Sequence, residues 1–392
     1  MSRFRSPAAL MAAALLLAAC GGGGGDSAPP VAQVPVTPPV VTVPPTKITI
    51  AVNGSSYENA KNIGVGPQAM PVVDPTFVEQ INNGYAYADF DKSNILQMVA
   101  FTEIVPRDGS HRVTEGKVRF YKKGDNDTWV ENTSAMVDDT SGCIIARKVI
   151  VADFNNDGKP DAFAACSGLD FGAQAGENQR MLLSTADGKY KNILIQQKGY
   201  VHGAAAADVN RDGNIDIVLA DMRGQGGKTP LYFLMGNGQG GFMVDYERAA
   251  RQEYEFKQKF WSVELVKNTN GEYDLLAGGS ESDTATTLIR GVNGNYATSP
   301  ATILPPMPSF NTVMDFILEG ETAYLLRTTE KYEGSAIQKV NVRTGEASTI
   351  YQHTGYYDGQ YMGWGVTWVN WIVPFNNTIV SSNSFYKVSV PK

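Results

Sequence analysis

Cysteine is scarce, with three in 392 residues. That excludes a disulfide-dense scaffold and Cys-rich zinc modules. Histidine is equally scarce; His111, His202 and His353 stand far apart and form no H-E-x-x-H pair, which excludes a zincin. Charged residues make up only 19%, below the usual quarter or so. The net charge of −7 is the opposite of the basic footprint of a nucleic-acid reader, so nucleic acid is excluded as a partner. No hydrophobic run reaches the length of about 18 residues that a spanning helix needs. No G-x-S-x-G nucleophile elbow occurs. What is abundant is glycine, at 40, and tyrosine, at 18, in a chain that is 43% hydrophobic. This favours many turns and aromatic strands around a sizeable core.

The N-terminus reads as an address and a tether. Arg3 and Arg5 precede an apolar stretch, Ala8–Ala19, of 12 residues, the length of a signal-peptide core. It ends in Leu17-Ala18-Ala19-Cys20, which resembles a bacterial lipobox. That resemblance implies cleavage of residues 1–19, lipid on Cys20 and anchorage in a membrane. Gly21 rather than Asp after the cysteine then implies the outer membrane, facing periplasm or cell surface. The other reading is an ordinary secretory signal. Cleavage would remove two arginines and leave a net charge of −9. Residues 20–46 are a tether: five glycines at Gly21–Gly25, then Pro29, Pro30, Pro35, Pro38, Pro39, Pro44 and Pro45. At about 3.1 Å per residue, polyproline II chain of this length reaches on the order of 80 Å.

The remaining residues, 47–392, repeat. Asp153-Phe-Asn155-Asn-Asp157-Gly158-Lys159-Pro-Asp161 and Asp208-Val-Asn210-Arg-Asp212-Gly213-Asn214-Ile-Asp216 share the pattern D-x-N-x-D-G-x-x-D between apolar runs, 55 residues apart. Degenerate copies keep the beat at Asp89–Gln97 and Val266–Asp274, with fainter echoes near Phe316–Leu326 and Trp368–Val380. A second Asn/Asp-Gly turn trails several of them, best seen in Gly236-Asn-Gly238-Gln-Gly240-Gly241-Phe242. Strand, Asn/Asp-Gly, strand is a hairpin signature. Two hairpins per 50–60 residues, without helical periodicity, predict four-stranded propeller blades. Dividing the folded region by the mean step predicts an all-β propeller of about six blades, its last unit completed by an N-terminal strand such as Lys47–Val52.

The D-x-N-x-D-G-x-x-D loops followed by G-N-G-x-G-x-F resemble the FG-GAP/VCBS repeats of integrin-like β-propellers, most closely over Gly84–Tyr296; that family usually has seven blades, so the resemblance widens the expectation to six to seven. The loop chemistry points to calcium. A hard cation prefers six to eight oxygen ligands. Alternate positions of a tight loop supply Asp153, Asn155, Asp157, the Lys159 carbonyl and Asp161, and in the second loop Asp208, Asn210, Asp212, the Asn214 carbonyl and Asp216. An EF-hand would need Glu at position 12, which is Ala164 in one loop and Leu219 in the other. Asp89, Asp91 and Ser93 form a third, poorer candidate, in which Asn94 replaces the glycine. The Val266 loop lacks its first ligand.

Cys143 and Cys166 flank the first loop. Export places them in an oxidising compartment, and either a disulfide or a pair of buried thiols fits. Gly236-x-Gly238-x-x-Gly241 matches a dinucleotide fingerprint, but a strand rather than a helix follows it. Two polar segments, Ser167–Arg180 and Asp221–Lys228, read either as a ligand face or as plain blade connections. Asp170, Glu177, Asn178, Arg180, His202, Asp221 and Arg223 are the candidate ligand residues. Tyr356, Tyr357, Tyr361, Trp364, Trp368 and Trp371 crowd one stretch, as core or as a sugar-stacking platform. The function expected from these features is a calcium-binding, lipid-anchored envelope module that recognises a protein or glycan. The alternatives are a calcium-dependent polysaccharide lyase and a subunit of an envelope complex. No nucleophile–base set marks an enzyme.

Overall fold

The computed structural model describes residues 76–391, apart from 82–83, 109, 111–113, 125–128, 171, 173, 224–228, 252–258, 332–333, 355–370, 376–377 and 383–386; for 335, 353–354 and 371–391 only the backbone is described. The signal and tether, Cys20, Lys47–Val52, His111 and the aromatic stretch from Tyr356 to Trp368 lie outside the described residues.

The chain is a five-bladed β-propeller with four-stranded blades. A short strand β1 (Phe77–Gln80) comes first. Blade 1 follows as β2 (Tyr85–Ala88) and β3 (Gln97–Phe101), then β4 (Glu103–Pro106), which leaves the blade to pair with β1, then β5 (Val118–Lys123) and β6 (Trp129–Glu131). After a single helical turn, α1 (Thr133–Met136), blade 2 is β7 (Ala146–Ala152), β8 (Asp161–Cys166), β9 (Glu177–Ser184) and β10 (Tyr190–Gly199). Blade 3 is β11 (Val201–Ala207), β12 (Asp216–Asp221), β13 (Leu231–Gly236) and β14 (Phe242–Asp245). Blade 4 is β15 (Phe260–Lys267), β16 (Tyr273–Gly279), β17 (Thr287–Ile289) and β18 (Ala301–Ile303). Blade 5 is β19 (Thr312–Glu319), β20 (Thr322–Thr328), β21 (Gly334–Asn341) and β22 (Ala347–Thr354). A three-stranded sheet, β23 (Trp371–Phe375), β24 (Thr378–Ser382) and β25 (Lys387–Pro391), ends the chain.

The expected six to seven blades are therefore corrected to five. Dividing length by the mean step counted residues that no four-stranded blade uses. The β1–β4 ribbon, the connection from Pro106 to Val118 and the three-stranded terminal sheet absorb them.

Within each blade the strands run innermost to outermost, and the first strands of successive blades lie side by side around the ring. Burial explains the sequence of each strand. The second strands, Asp161–Cys166 and Asp216–Asp221, are buried at every position, because a neighbouring blade covers each face. The outer strand Tyr190–Gly199 is instead buried only at its two ends, with half-buried and exposed residues between them. Four cores lie between successive blades. Phe101, Phe120, Val149 and Leu182 join blades 1 and 2. Phe163, Met181, Ile217 and Leu234 join 2 and 3, and Val218, Phe233, Leu265 and Leu275 join 3 and 4. Leu276, Val313, Phe316 and Leu325 join 4 and 5. No helix among the described residues is long and apolar enough to cross a membrane. Cys143 and Cys166, both fully buried, form a disulfide with Cα atoms 5.6 Å apart.

Antiparallel order sorts the connections onto two faces. The first-to-second and third-to-fourth strand turns of every blade emerge on one face, and the second-to-third connections on the other. All the Asp-rich loops therefore share one face. The described residues of the connections from β8 to β9 and from β12 to β13 share the opposite one.

Candidate functional site

The Asp-rich loops close in the same way in three blades. Asp153 accepts the N–H groups of Asp157 and Gly158, at 3.0 and 2.7 Å, and Asp208 those of Asp212 and Gly213, at 3.1 and 2.9 Å. Asp89 accepts Ser93 and Asn94, both at 2.8 Å. Gly158 and Gly213 have φ of 78° and 88°, the left-handed region that glycine enters freely, and Asn94 takes the same place in blade 1 at φ 59°. Asn155 Oδ1 and Asp153 Oδ1 both accept the Asp157 N–H, which brings these two oxygens together, as Asn210 and Asp208 do on the Asp212 N–H.

The ninth position does different work. Both oxygens of Asp161 accept backbone N–H groups, from Phe154 at 2.8 Å and Ser184 at 2.7 Å; those of Asp216 accept Val209 at 3.1 Å and Gly236 at 2.9 Å. Both carboxylates are fully buried. Burial pushes each up to about 6, against these N–H groups, which favour the charged form. They stitch the first hairpin of the blade to its third strand. The residues that fit a hard cation are accordingly Asp153, Asn155 and Asp157 with the Lys159 carbonyl, and Asp208, Asn210 and Asp212 with the Asn214 carbonyl. All are oxygen donors, and none of the four acids forms an ion pair among the described residues.

The degenerate loops carry their own cation. Lys122 Nζ lies 2.7 Å from Asp91 in blade 1. In blade 4, Arg343 of the next blade pairs with buried Asp274. Among the described residues, the one trio of His, Cys, Asp or Glu ligand atoms within 4.8 Å of one another is Cys143, Cys166 and Glu177. Its two sulfurs are bonded to each other, so it is no metal centre.

On the opposite face the structure assembles a site that the sequence showed only in part. In blades 2, 3, 4 and 5 the pairing of first and second strands slips by one residue near the start of the first strand, leaving Arg147, His202, Trp261 and Met314 as the bulged residues. Bulges re-aim side chains and recur beside active sites. Arg147 holds Asp170 through a two-oxygen pair and reaches Ser167 Oγ at 3.3 Å. The Tyr200 hydroxyl donates to Asp170 at 2.6 Å. The His202 ring lies 4.9 Å from that of Tyr200 and 4.8 Å, edge-on, from that of Trp261. Next to Arg147, Lys148 of blade 2 pairs with Asp315 of blade 5, which is not an adjacent blade, so this pair reaches across the inside of the ring.

Of the predicted ligand residues, Asp170 and His202 meet here. His202 lies within β11, at the end away from the Asp208 loop. Glu177, Asn178 and Arg180 belong to strand β9, so the expected surface loop Ser167–Arg180 stops at residue 176. Glu177 accepts the N–H groups of Ile144, Ile145 and Gly168, and its carboxyl is raised by burial. Arg180 pairs with Glu115 at 3.2 Å. Asp221 is buried and accepts the N–H groups of Tyr200 and Arg223. Sequence reasoning missed Arg147, Tyr200 and Trp261. One signal was present: Arg147 and His202 each stand six residues ahead of the first acid of their loop.

The charges at this site are tuned by contact. Burial alone would lower the Arg147 pKa, but the Asp170 carboxylate raises it; burial would raise Asp170, but Arg147 and the Tyr200 hydroxyl hold it down. Half-buried His202 is depressed well below 6.5, by burial first and Arg147 second. Its Nε2 is buried without a hydrogen-bond partner among the described residues. A histidine depressed by folding takes up its proton in the unfolded chain first. Stability is therefore fully present above the unfolded pKa and is lost as pH falls below about 6.5, by up to about 1.4 kcal/mol per pH unit. His202→Phe is expected to remove that share of the slope in urea titrations between about pH 7.5 and 5.5. Parallel slopes in both proteins would contradict it.

No protein-family model matches this chain. No curated protein matches it. Solved structures that match include an α-L-arabinanase from Penicillium chrysogenum complexed with arabinobiose, 13% identical, over 79% of this chain and 92% of that one, with a TM-score of 0.48. A putative 6-phosphogluconolactonase from Bacteroides uniformis is 12% identical over 81% and 97%, with a TM-score of 0.44. The Dos1 propeller is 7% identical over 79% and 81%, with a TM-score of 0.37. The assignment of a propeller rests on the chain's own sheet order.

Proposed function

We propose that this chain is a recognition propeller, whose bulge-built cluster of Arg147, Asp170, Tyr200, His202 and Trp261 binds a protein or glycan ligand. The observation that carries this reading is the bulge repeated in four successive blades. A packing role alone does not require the same backbone irregularity each time, and the residues it displays differ in chemistry from blade to blade. In this reading calcium is structural. It lies in the loops of blades 2 and 3, on the face away from the ligand. Lys122 and Arg343 supply a fixed positive charge to the equivalent loops of blades 1 and 4. Lipid on Cys20 tethers the propeller to the outer membrane.

Glycan-array and envelope pull-down screens with the whole mature protein test the ligand site. Ligands held by the native protein should be lost in Arg147→Ala and Trp261→Ala and kept in Asp157→Ala/Asp212→Ala. Retention by both cluster variants would reject the site. Calcium is tested separately. A ligand that binds only the folded state raises its stability, so EDTA should lower the melting temperature by several degrees and calcium restore it. The Asp157→Ala/Asp212→Ala protein should lose most of that response. Fewer than two calcium ions per chain would reject the metal assignment.

A further inference from the structure

The Val266–Asp274 copy of the repeated loop has changed sign. Where blades 2 and 3 have Asp153 and Asp208, blade 4 has Val266; where they have Asp157 and Asp212, it has Asn270. Its remaining acid, Asp274, is 1% exposed and fully engaged: one oxygen accepts Asn268 Nδ2 and the Gly291 N–H, and the other holds Arg343. Beside this loop, between blades 4 and 5, lies a cavity of about 310 Å³, lined among others by Asn270, Arg290, Thr302, Glu321 and Arg343. That volume is at the lower end of the range for small-molecule sites.

The cavity lining carries two cations and two acids, and both acids face Arg343. The Arg290 guanidinium has no partner among the described residues. Arg343 directs one terminal nitrogen to Asp274 and its Nε toward Glu321 at 3.7 Å, and the second terminal nitrogen makes no contact among the described residues. Buried Asp274 and half-exposed Glu321 are both turned to Arg343, which leaves Arg290 as the cation without an acid beside it. The free guanidinium of Arg290, with the one unused terminal nitrogen of Arg343, matches a planar carboxylate. Leu288 and Val342 give the cavity an apolar wall, and the side chains of Asn270 and Thr302 offer hydrogen bonds.

We propose that this cavity binds a small organic carboxylate of single-ring size, with Arg290 as the principal anchor, Arg343 as the second, and the apolar wall against the carbon skeleton. The site shares no residue with the bulge cluster or with the calcium loops of blades 2 and 3, so it stands or falls independently of both.

Glucuronate titrated into the mature protein, followed by calorimetry and by chemical-shift changes, is the direct test, with glucose and inorganic phosphate as separate arms. Glucuronate is expected to bind with a millimolar or lower dissociation constant that weakens as salt is added. Glucose, which lacks the carboxylate, should bind at least tenfold more weakly. Arg290→Gln, an exposed substitution that leaves the Asp274–Arg343 pair in place, should weaken glucuronate at least tenfold with unchanged melting temperature. Arg147→Ala and EDTA should leave it unaffected. Equal binding of glucuronate and glucose, phosphate binding in preference to glucuronate, or unchanged affinity in Arg290→Gln would each overturn the proposal.

Discussion

Asp161→Ala and Asp216→Ala are each expected to lower unfolding free energy by about 2–4 kcal/mol in the presence of EDTA. Each substitution strips the partner from two backbone N–H groups in the blade interior, and an orphaned buried donor costs about 1–3 kcal/mol. Removing a buried carboxylate also relieves its desolvation, which burial signals by pushing both groups up to about 6. The loss of two partners outweighs that relief, because the N–H groups of Phe154, Ser184 and Val209 are bonded in buried surroundings and that of Gly236 in partly buried ones. Asp157→Ala is the control. Asp157 is exposed, and in chelator its loss should cost under about 1 kcal/mol. Urea titrations of the three variants measure the contrast. Equal, small effects at all three positions would show that the ninth-position acids do not hold the hairpins.

The Cys143–Cys166 bridge should contribute about 3 kcal/mol, because a cross-link over a sequence separation of 23 restricts the unfolded chain by roughly that amount. It joins the approach to β7 with the end of β8, both at 0% exposure, so it closes the first hairpin of blade 2 at the end away from the Asp153 loop. Cys143→Ala/Cys166→Ala is expected to unfold at lower urea, with an equal or steeper transition slope, since the unlinked unfolded chain exposes more surface. Non-reducing mass spectrometry should recover the two peptides linked. Alkylation of both thiols in the native protein would disprove the bridge. The Glu177 carboxylate beside it, accepting three N–H groups, should keep the 144–168 corner in place even in the reduced protein.

Local chemistry was legible wherever a single stretch of chain decides the outcome. The D-x-N-x-D-G-x-x-D segments specify hairpin loops because glycine at the sixth position takes positive φ and the first acid bonds back to the fifth and sixth N–H groups. Ala164 and Leu219, read as strand residues rather than EF-hand ligands, lie in fully buried strands. Gly236–Phe242 forms a strand, a turn and a strand, and no helix follows it. The role of Asp161 and Asp216 was not legible. Their spacing is that of a ligand, and only the approach of Ser184 and Gly236, 23 and 20 residues on, shows what their oxygens accept.

The sequence alone determined the all-β class, the four-stranded repeat and the loop geometry, because hydrophobic alternation and turn chemistry act between near neighbours in the chain; between a disulfide and two buried thiols at Cys143 and Cys166, the structure decided. Tertiary structure decided the number of blades, since that depends on which strands find a fourth partner and which residues, such as Phe77–Gln80, are diverted into a side ribbon. It also decided the site. Arg147, His202 and Trp261 come from three blades, and a bulge near the start of each first strand displays them on one face. A bulge is a property of the pairing of two strands, so it has no signature in either strand alone. Lys148 and Asp315, 167 residues apart, meet only because the ring brings the first strands of blades 2 and 5 to a common centre.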